Sequence, residues 1–196
     1  MTATLAALAL AATLVCAAAL VVVHLLPTGY RPLRDAVSDY GVGPYRAWYR
    51  VQASALGIAG LLVAAALWSG VTPVPAKSAV LLVVFGLARL AIPWYPTDLA
   101  GEERTRTGRI HVALAAAAFL TAAVAAPALH AAVKHEAGWA DVSRALGVLG
   151  WTVAGASLAT AIAVRSPSLR PRFGLIERLL YASILAWFLL VEAHLA

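Results

Sequence analysis

The chain has 196 residues, 62% of them hydrophobic and only 12% charged, with a mean hydropathy of +0.84. That composition excludes an ordinary soluble domain, in which roughly half of the residues are apolar and about a quarter charged. The 15 Lys and Arg against 9 Asp and Glu leave a net charge of +6, which in a soluble chain would suggest nucleic acid; in so apolar a chain, basic loops facing anionic lipid explain it, and no nucleic-acid partner is expected.

A bilayer core about 30 Å thick needs roughly 20 apolar residues in helical form, because unpaired backbone amides are not tolerated in hydrocarbon. Six stretches meet that requirement, so the fold class expected is all-α: a polytopic membrane protein whose residues 1–196 form a single domain, a bundle of six transmembrane helices. The first stretch, residues 3–26, has no charged segment before it and is too long for the apolar core of a signal peptide, so it is read as a span. Its lone Cys16 has no partner for a disulfide and reads as packing.

The first connection, residues 27–49, is long for a hairpin between spans. It holds turn formers, the pair Asp35 and Asp39, and Ser38, which is placed to cap a short helix or turn before Gly41. Its arginines include Arg31, Arg34, Arg46 and Arg50; on the plainest reading they meet lipid phosphates. The second span, 51–68, follows, then Pro73 and the third span, 76–92. Arg89 falls about one turn before the end of the third span, from where its side chain can snorkel to the interface.

The third connection begins Pro93-Trp-Tyr-Pro-Thr-Asp98 and leads through Thr107-Gly108-Arg109-Ile110 to His111 in the first turn of the fourth span, 110–133. An aspartate and a histidine at adjacent helix ends can make an acid/base pair, or a structural hydrogen bond that closes the loop; the structural account leads, since buried polar groups at helix ends need partners whatever the function. Pro127 should kink the fourth span. The fifth, 143–164, carries Gly147, Gly150, Gly155 and Ser157 for close helix approach, and the sixth runs over 175–195 after Pro167. The midplanes read as nearly featureless, with Thr121, Thr152 and Ser157 the most polar members, which argues against an ion pathway. Trp48, Trp68, Trp94, Trp139 and Tyr49 lie near helix ends, as an aromatic belt requires.

Most of the basic residues lie in the first, third and fifth connections, against Lys77, Lys134 and Arg144 on the other side. The positive-inside rule then makes the odd connections cytoplasmic and both termini external, in a cell membrane of bacterial inner-membrane type.

Two strings carry a resemblance. Gly29-Tyr30 through Ser38-Asp39-Tyr40-Gly41-Val42-Gly43, followed by a span with Gly57 and Gly60, and Tyr95-Pro96-Thr97-Asp98 followed by Thr107-Gly108-Arg109-Ile110-His111 resemble the two signatures of the membrane family known as domain of unknown function 998. Tyr95 stands where many relatives have phenylalanine, and the likeness is weakest after about residue 140. What it implies is a six-span bundle of mostly bacterial type with no assigned reaction.

Both signatures lie in odd connections and therefore face one side, together with His24 and Glu177. One headgroup-level pocket would collect Arg31, Ser38, Asp39, Arg89 and Arg109 as ligand-binding residues, with Asp98 and His111 as the acid/base pair of an enzyme. Cations beside carboxylates suit a phosphorylated or zwitterionic amphiphile, gripped bidentately by arginine. A zinc site on His24, His111 and Asp98 has no supporting motif spacing, so neither metal nor cofactor is expected. His130, His135, Glu136, Glu192 and His194 form a second, weaker cluster on the opposite face. Three functions compete: a binder or handler of a lipid or other amphiphile, which the charge inventory favours; an enzyme on a lipid or isoprenoid substrate; and a helper subunit of a membrane complex.

Overall fold

The structure, a computed structural model, describes residues 1–196. It is all-helical. Six helices are each long and apolar enough to cross a membrane, the third when its closing 3-10 turn to Trp94 is counted with it: α1 (Thr2–Leu25), α2 (Arg46–Gly70), α3 (Ala76–Ala91), α4 (Arg106–Val133), α5 (Ser143–Arg165) and α6 (Phe173–Leu195). Short 3-10 turns cover Val37–Gly41, Ile92–Trp94, Ala137–Trp139 and Arg170–Arg172. Each expected span is found, with α2 and α4 starting four to five residues earlier than hydropathy alone placed them. Those first turns are polar (Arg46 to Arg50, Arg106 to Arg109), so an apolarity criterion passes over them while the backbone hydrogen bonds do not.

The ends follow from local chemistry. Leu26 is extended (ψ 150°) because it precedes Pro27, and α1 stops there. Thr105 caps α4 by accepting the Gly108 amide at 2.9 Å. α4 runs on through Pro127 as one helix; beside it, Ser78 Oγ donates to the Ala125 carbonyl at 2.9 Å and Gly150 packs on the Ala126 backbone.

Each helix packs on its neighbours in sequence, and α6 closes against α1, so the bundle is a ring of six. α2 and α3 approach most closely where Gly57 and Gly86 face each other; a Cβ on either would lie 2.8 Å from the other's carbonyl oxygen. The centre is filled by Phe85, Trp187, Phe188, Leu56, Leu82 and Leu180, with the Phe85 and Phe188 rings 5.6 Å apart. Leu8, Val80, Leu120, Trp151 and Leu158 point outward, where lipid solvates them. The aromatic belt is only partly present. Trp48, Trp68 and Trp94 are exposed at helix ends, whereas Tyr49 and Trp139 are buried, Tyr49 against Gly41 and Trp139 against the His194 ring.

Candidate functional site

The third connection is closed by its own signature residues. The Asp98 carboxylate accepts the Thr105 amide at 3.0 Å and the Thr105 hydroxyl at 2.7 Å, so it sits at the N-terminus of α4, where negative charge is favoured by the helix dipole. Gly108 is what allows this, since a Cβ there would occupy the space of the Asp98 carboxylate. His111, buried, uses Nδ1 to donate to the Tyr95 carbonyl at 2.7 Å. Asp98 and His111 thus make separate hydrogen bonds and none to each other, and the motif reads as a loop clasp.

The first connection is docked on the start of α6. The buried Glu177 carboxylate accepts the Val37 amide at 2.7 Å. Arg178 next to it donates to the Asp35 carbonyl (2.9 Å), the Gly174 carbonyl (2.9 Å), the Tyr40 hydroxyl (3.2 Å) and His24 Nε2 (2.7 Å). His24 Nδ1 donates to the Leu20 carbonyl at 2.6 Å, so the imidazole is the neutral tautomer with Nε2 free to accept. The backbone of Gly174 and Leu175 also bonds the Arg34 and Leu33 carbonyls, at 3.2 and 3.0 Å. The cap of the Val37–Gly41 turn is the Asp39 carboxylate, which accepts the Ala36 amide at 2.9 Å; the expected cap, Ser38, forms no such bond. Burial pushes the Asp39 carboxyl up to about 6, the Ala36 hydrogen bond opposing it and the Asp35 charge adding to it. Burial raises the Tyr30 phenol as well, assisted by the negative charges of Asp39, Asp35 and Glu102.

Below these loops lies a polar level that hydropathy did not reveal. Arg89 does not snorkel. Its side chain turns into the bundle and is 1% exposed, donating from Nη1 to the Tyr181 hydroxyl at 2.8 Å and from Nη2 to Gln52 Oε1 at 3.1 Å. The Cys16 thiol lies 3.7 Å from the same Gln52 oxygen. The only ion pairs in the molecule are Arg34–Asp35 and His194–Asp141, so no carboxylate stands within 4.0 Å of Arg89. Arg89 Nε and Gln52 Nε2 have no partner at all. An unpaired ion in such a place costs several kcal/mol even after relaxation. Further along the bundle, Glu192 is fully buried and accepts the Thr13 hydroxyl at 2.7 Å.

The midplane reading therefore needs correcting. Thr121 and Thr152 spend their hydroxyls on their own helix carbonyls, Ala117 and Val148; Ser157 is buried with its hydroxyl unpartnered, and Thr13, Gln52, Arg89, Glu177 and Glu192 are among the other polar groups turned inward. Composition windows average such single residues away. Gln52, the only glutamine of the chain, inside an otherwise apolar run, was the available signal.

Of the expected pocket, Arg31 in the first connection and Arg109 in the first turn of α4 are exposed, Ser38 and Asp39 are half-buried in the Val37–Gly41 turn, and Arg89 is buried in the bundle against Gln52 and Tyr181. His24, His111 and Asp98 have different partners and do not converge. On the opposite face, His194 meets Asp141 at 3.9 Å and the Trp139 ring at 4.3 Å, while Glu192 turns to Thr13. Along the first and fifth connections runs an open groove of about 470 Å³ lined by Tyr30, Arg31, Pro32, Leu33, Arg34 and Pro171.

Six apolar helices closed in a ring, with two clasped loops at one end, define a polytopic membrane protein. The chain belongs to the family described as "Protein of unknown function (DUF998)", whose model matches residues 10–194. No curated protein and no solved structure matches it.

Proposed function

We propose that the protein binds or handles an anionic amphiphile at the face formed by its odd connections, and that this face is cytoplasmic. The observation that carries the reading is the groove between the first and fifth connections, in which the exposed Arg31 and Arg34 stand beside Leu33, Pro32 and Pro171. Guanidinium groups next to apolar surface fit a phosphate headgroup and the start of its chain. Arg109, Arg170 and Arg172 are exposed near the same end and add to the positive field. Asp39 and Asp98 are held by backbone amides, and Ser38 forms no bond that aims it at the groove, so Arg31 and Arg34 carry the contact. Arg89 lies too deep to share it.

Nothing in the arrangement favours an enzyme over a binder, because Asp98 and His111 are spent on the loop clasp. The test is mass spectrometry of lipids retained through detergent purification. Arg31→Gln/Arg34→Gln should lose a specifically retained anionic amphiphile while keeping the wild-type melting temperature. Equal retention by both proteins would end the reading.

A further inference from the structure

We propose that the Arg89 level is an anion site inside the bundle, in which Arg89, Gln52 and Tyr181 hold a compact monovalent anion, chloride or a carboxylate. This goes beyond the groove reading and does not rest on it, because the two places share no residue.

The charge comes first. Arg89 is sealed from solvent, and its two hydrogen-bond partners, the Tyr181 hydroxyl and the Gln52 amide oxygen, are neutral. Glu177, the nearest buried acid on α6, spends an oxygen on the Val37 amide and forms no ion pair with Arg89. An ionisable side chain kept at this depth with no carboxylate within 4.0 Å is a candidate place for binding a counter-charge.

The unspent atoms identify its chemistry. Arg89 Nε and Gln52 Nε2 are both buried donors without acceptors. The Gln52 oxygen already faces Arg89 Nη2 and the Cys16 thiol, which fixes the amide with its NH₂ unused. What the level lacks is therefore an acceptor carrying negative charge, and a cation or a further donor would not complete it. Cys16, Gln52, Arg89 and Tyr181 are all themselves buried, so an anion at this level is enclosed by the bundle, and a halide or a single carboxylate group is the ligand class proposed.

The experiment uses the full chain in detergent, exchanged into gluconate at constant ionic strength and titrated separately with bromide, formate and laurate. Bromide or formate should raise the melting temperature saturably. Arg89→Gln and Gln52→Leu should weaken the half-saturating concentration about tenfold or more, as loss of a charge-assisted hydrogen bond does. Crystals grown with bromide should show anomalous density beside Arg89. A laurate response at far lower concentration than formate would assign the anion to an amphiphile's own carboxylate; equal responses would assign it to a free small anion. Equal bromide and formate responses in the wild type and the variants would overturn the proposal, as would wild-type protein with neither a saturable response nor bromide density at Arg89. Should Arg89→Gln fail to fold, Gln52→Leu and the bromide crystals decide. Arg31→Gln/Arg34→Gln must keep the response, which separates failure here from failure of the groove reading.

Discussion

The loop clasp around Asp98 and the buried level around Arg89 are both polar clusters at the same end of the bundle, and they differ in what they leave unspent. In the clasp, Asp98 answers the Thr105 amide and hydroxyl, Thr105 answers the Gly108 amide, and His111 answers the Tyr95 carbonyl. At the Arg89 level a full positive charge has two neutral partners, and two buried donors have none. A conspicuous motif can thus spend most of its polar atoms on building the fold. A place where polar atoms remain unsatisfied is the better pointer to a ligand.

The docking of the first connection on α6 offers the severest test of that contrast. Arg178→Met removes four hydrogen bonds and strands the Asp35 carbonyl, the Tyr40 hydroxyl and His24, while the Gly174 carbonyl keeps its helical amide partner. The expected cost is about 3 kcal/mol or more, seen as a lowered melting temperature in detergent and reduced membrane abundance. Arg178→Lys should recover only a part, since one ammonium cannot span the fork of acceptors.

The clasp should break by steric means as well. Gly108→Ala places a Cβ on the Asp98 carboxylate, with a loss of roughly 1–3 kcal/mol. In a double-mutant cycle, Gly108→Ala/Asp98→Ala should cost less than the sum of the single changes, because the collision disappears with the carboxylate. Additivity would show that the two residues do not meet.

Asp98→Asn is milder. The carboxamide oxygen keeps one of the two bonds from Thr105, so about 1 kcal/mol is lost, as for a weakened helix cap, and retained lipid is unchanged. Should the variant keep its melting temperature but lose a turnover, the acid/base reading would displace the clasp.

The last test concerns pH. Asp39 is held up at about 6 against an ordinary 3.8 by burial, so the folded protein binds this proton more tightly than the unfolded chain. Its contribution to stability is fully present below 3.8 and is lost as pH rises through about 6. Asp39→Asn should flatten that segment of the stability curve relative to the wild type, measured by thermal melts across the range.

Particular residues show how far the sequence could be read. Pro27 acts through its immediate neighbour, so the end of α1 is legible, whereas the Thr105 cap lies in a polar stretch that apolarity passes over, and the start of α4 is not. Asp98 and His111 stood out because they sit in a motif at a helix junction, yet their acceptors and donors, Thr105 and Tyr95, follow from how the loop folds back. Arg178 carries no motif in the sequence, and its role follows only from α6 receiving the first connection. Arg89 was legible as a charge near the end of α3, but its turn into the bundle depends on Gln52 of α2 and Tyr181 of α6, partners that its own helix does not reveal.

By itself the sequence determined the number of spans, their order and the concentration of arginine at one end, since these depend on local apolarity and charge. Only the tertiary structure decided which polar groups meet. Cys16, Gln52, Arg89 and Tyr181 come from four different helices, and nothing short of closing the ring brings them to one level. A hydrogen bond is satisfied or left wanting at a distance of about 3 Å, and that distance is set by helix rotation and tilt, which hydropathy does not encode.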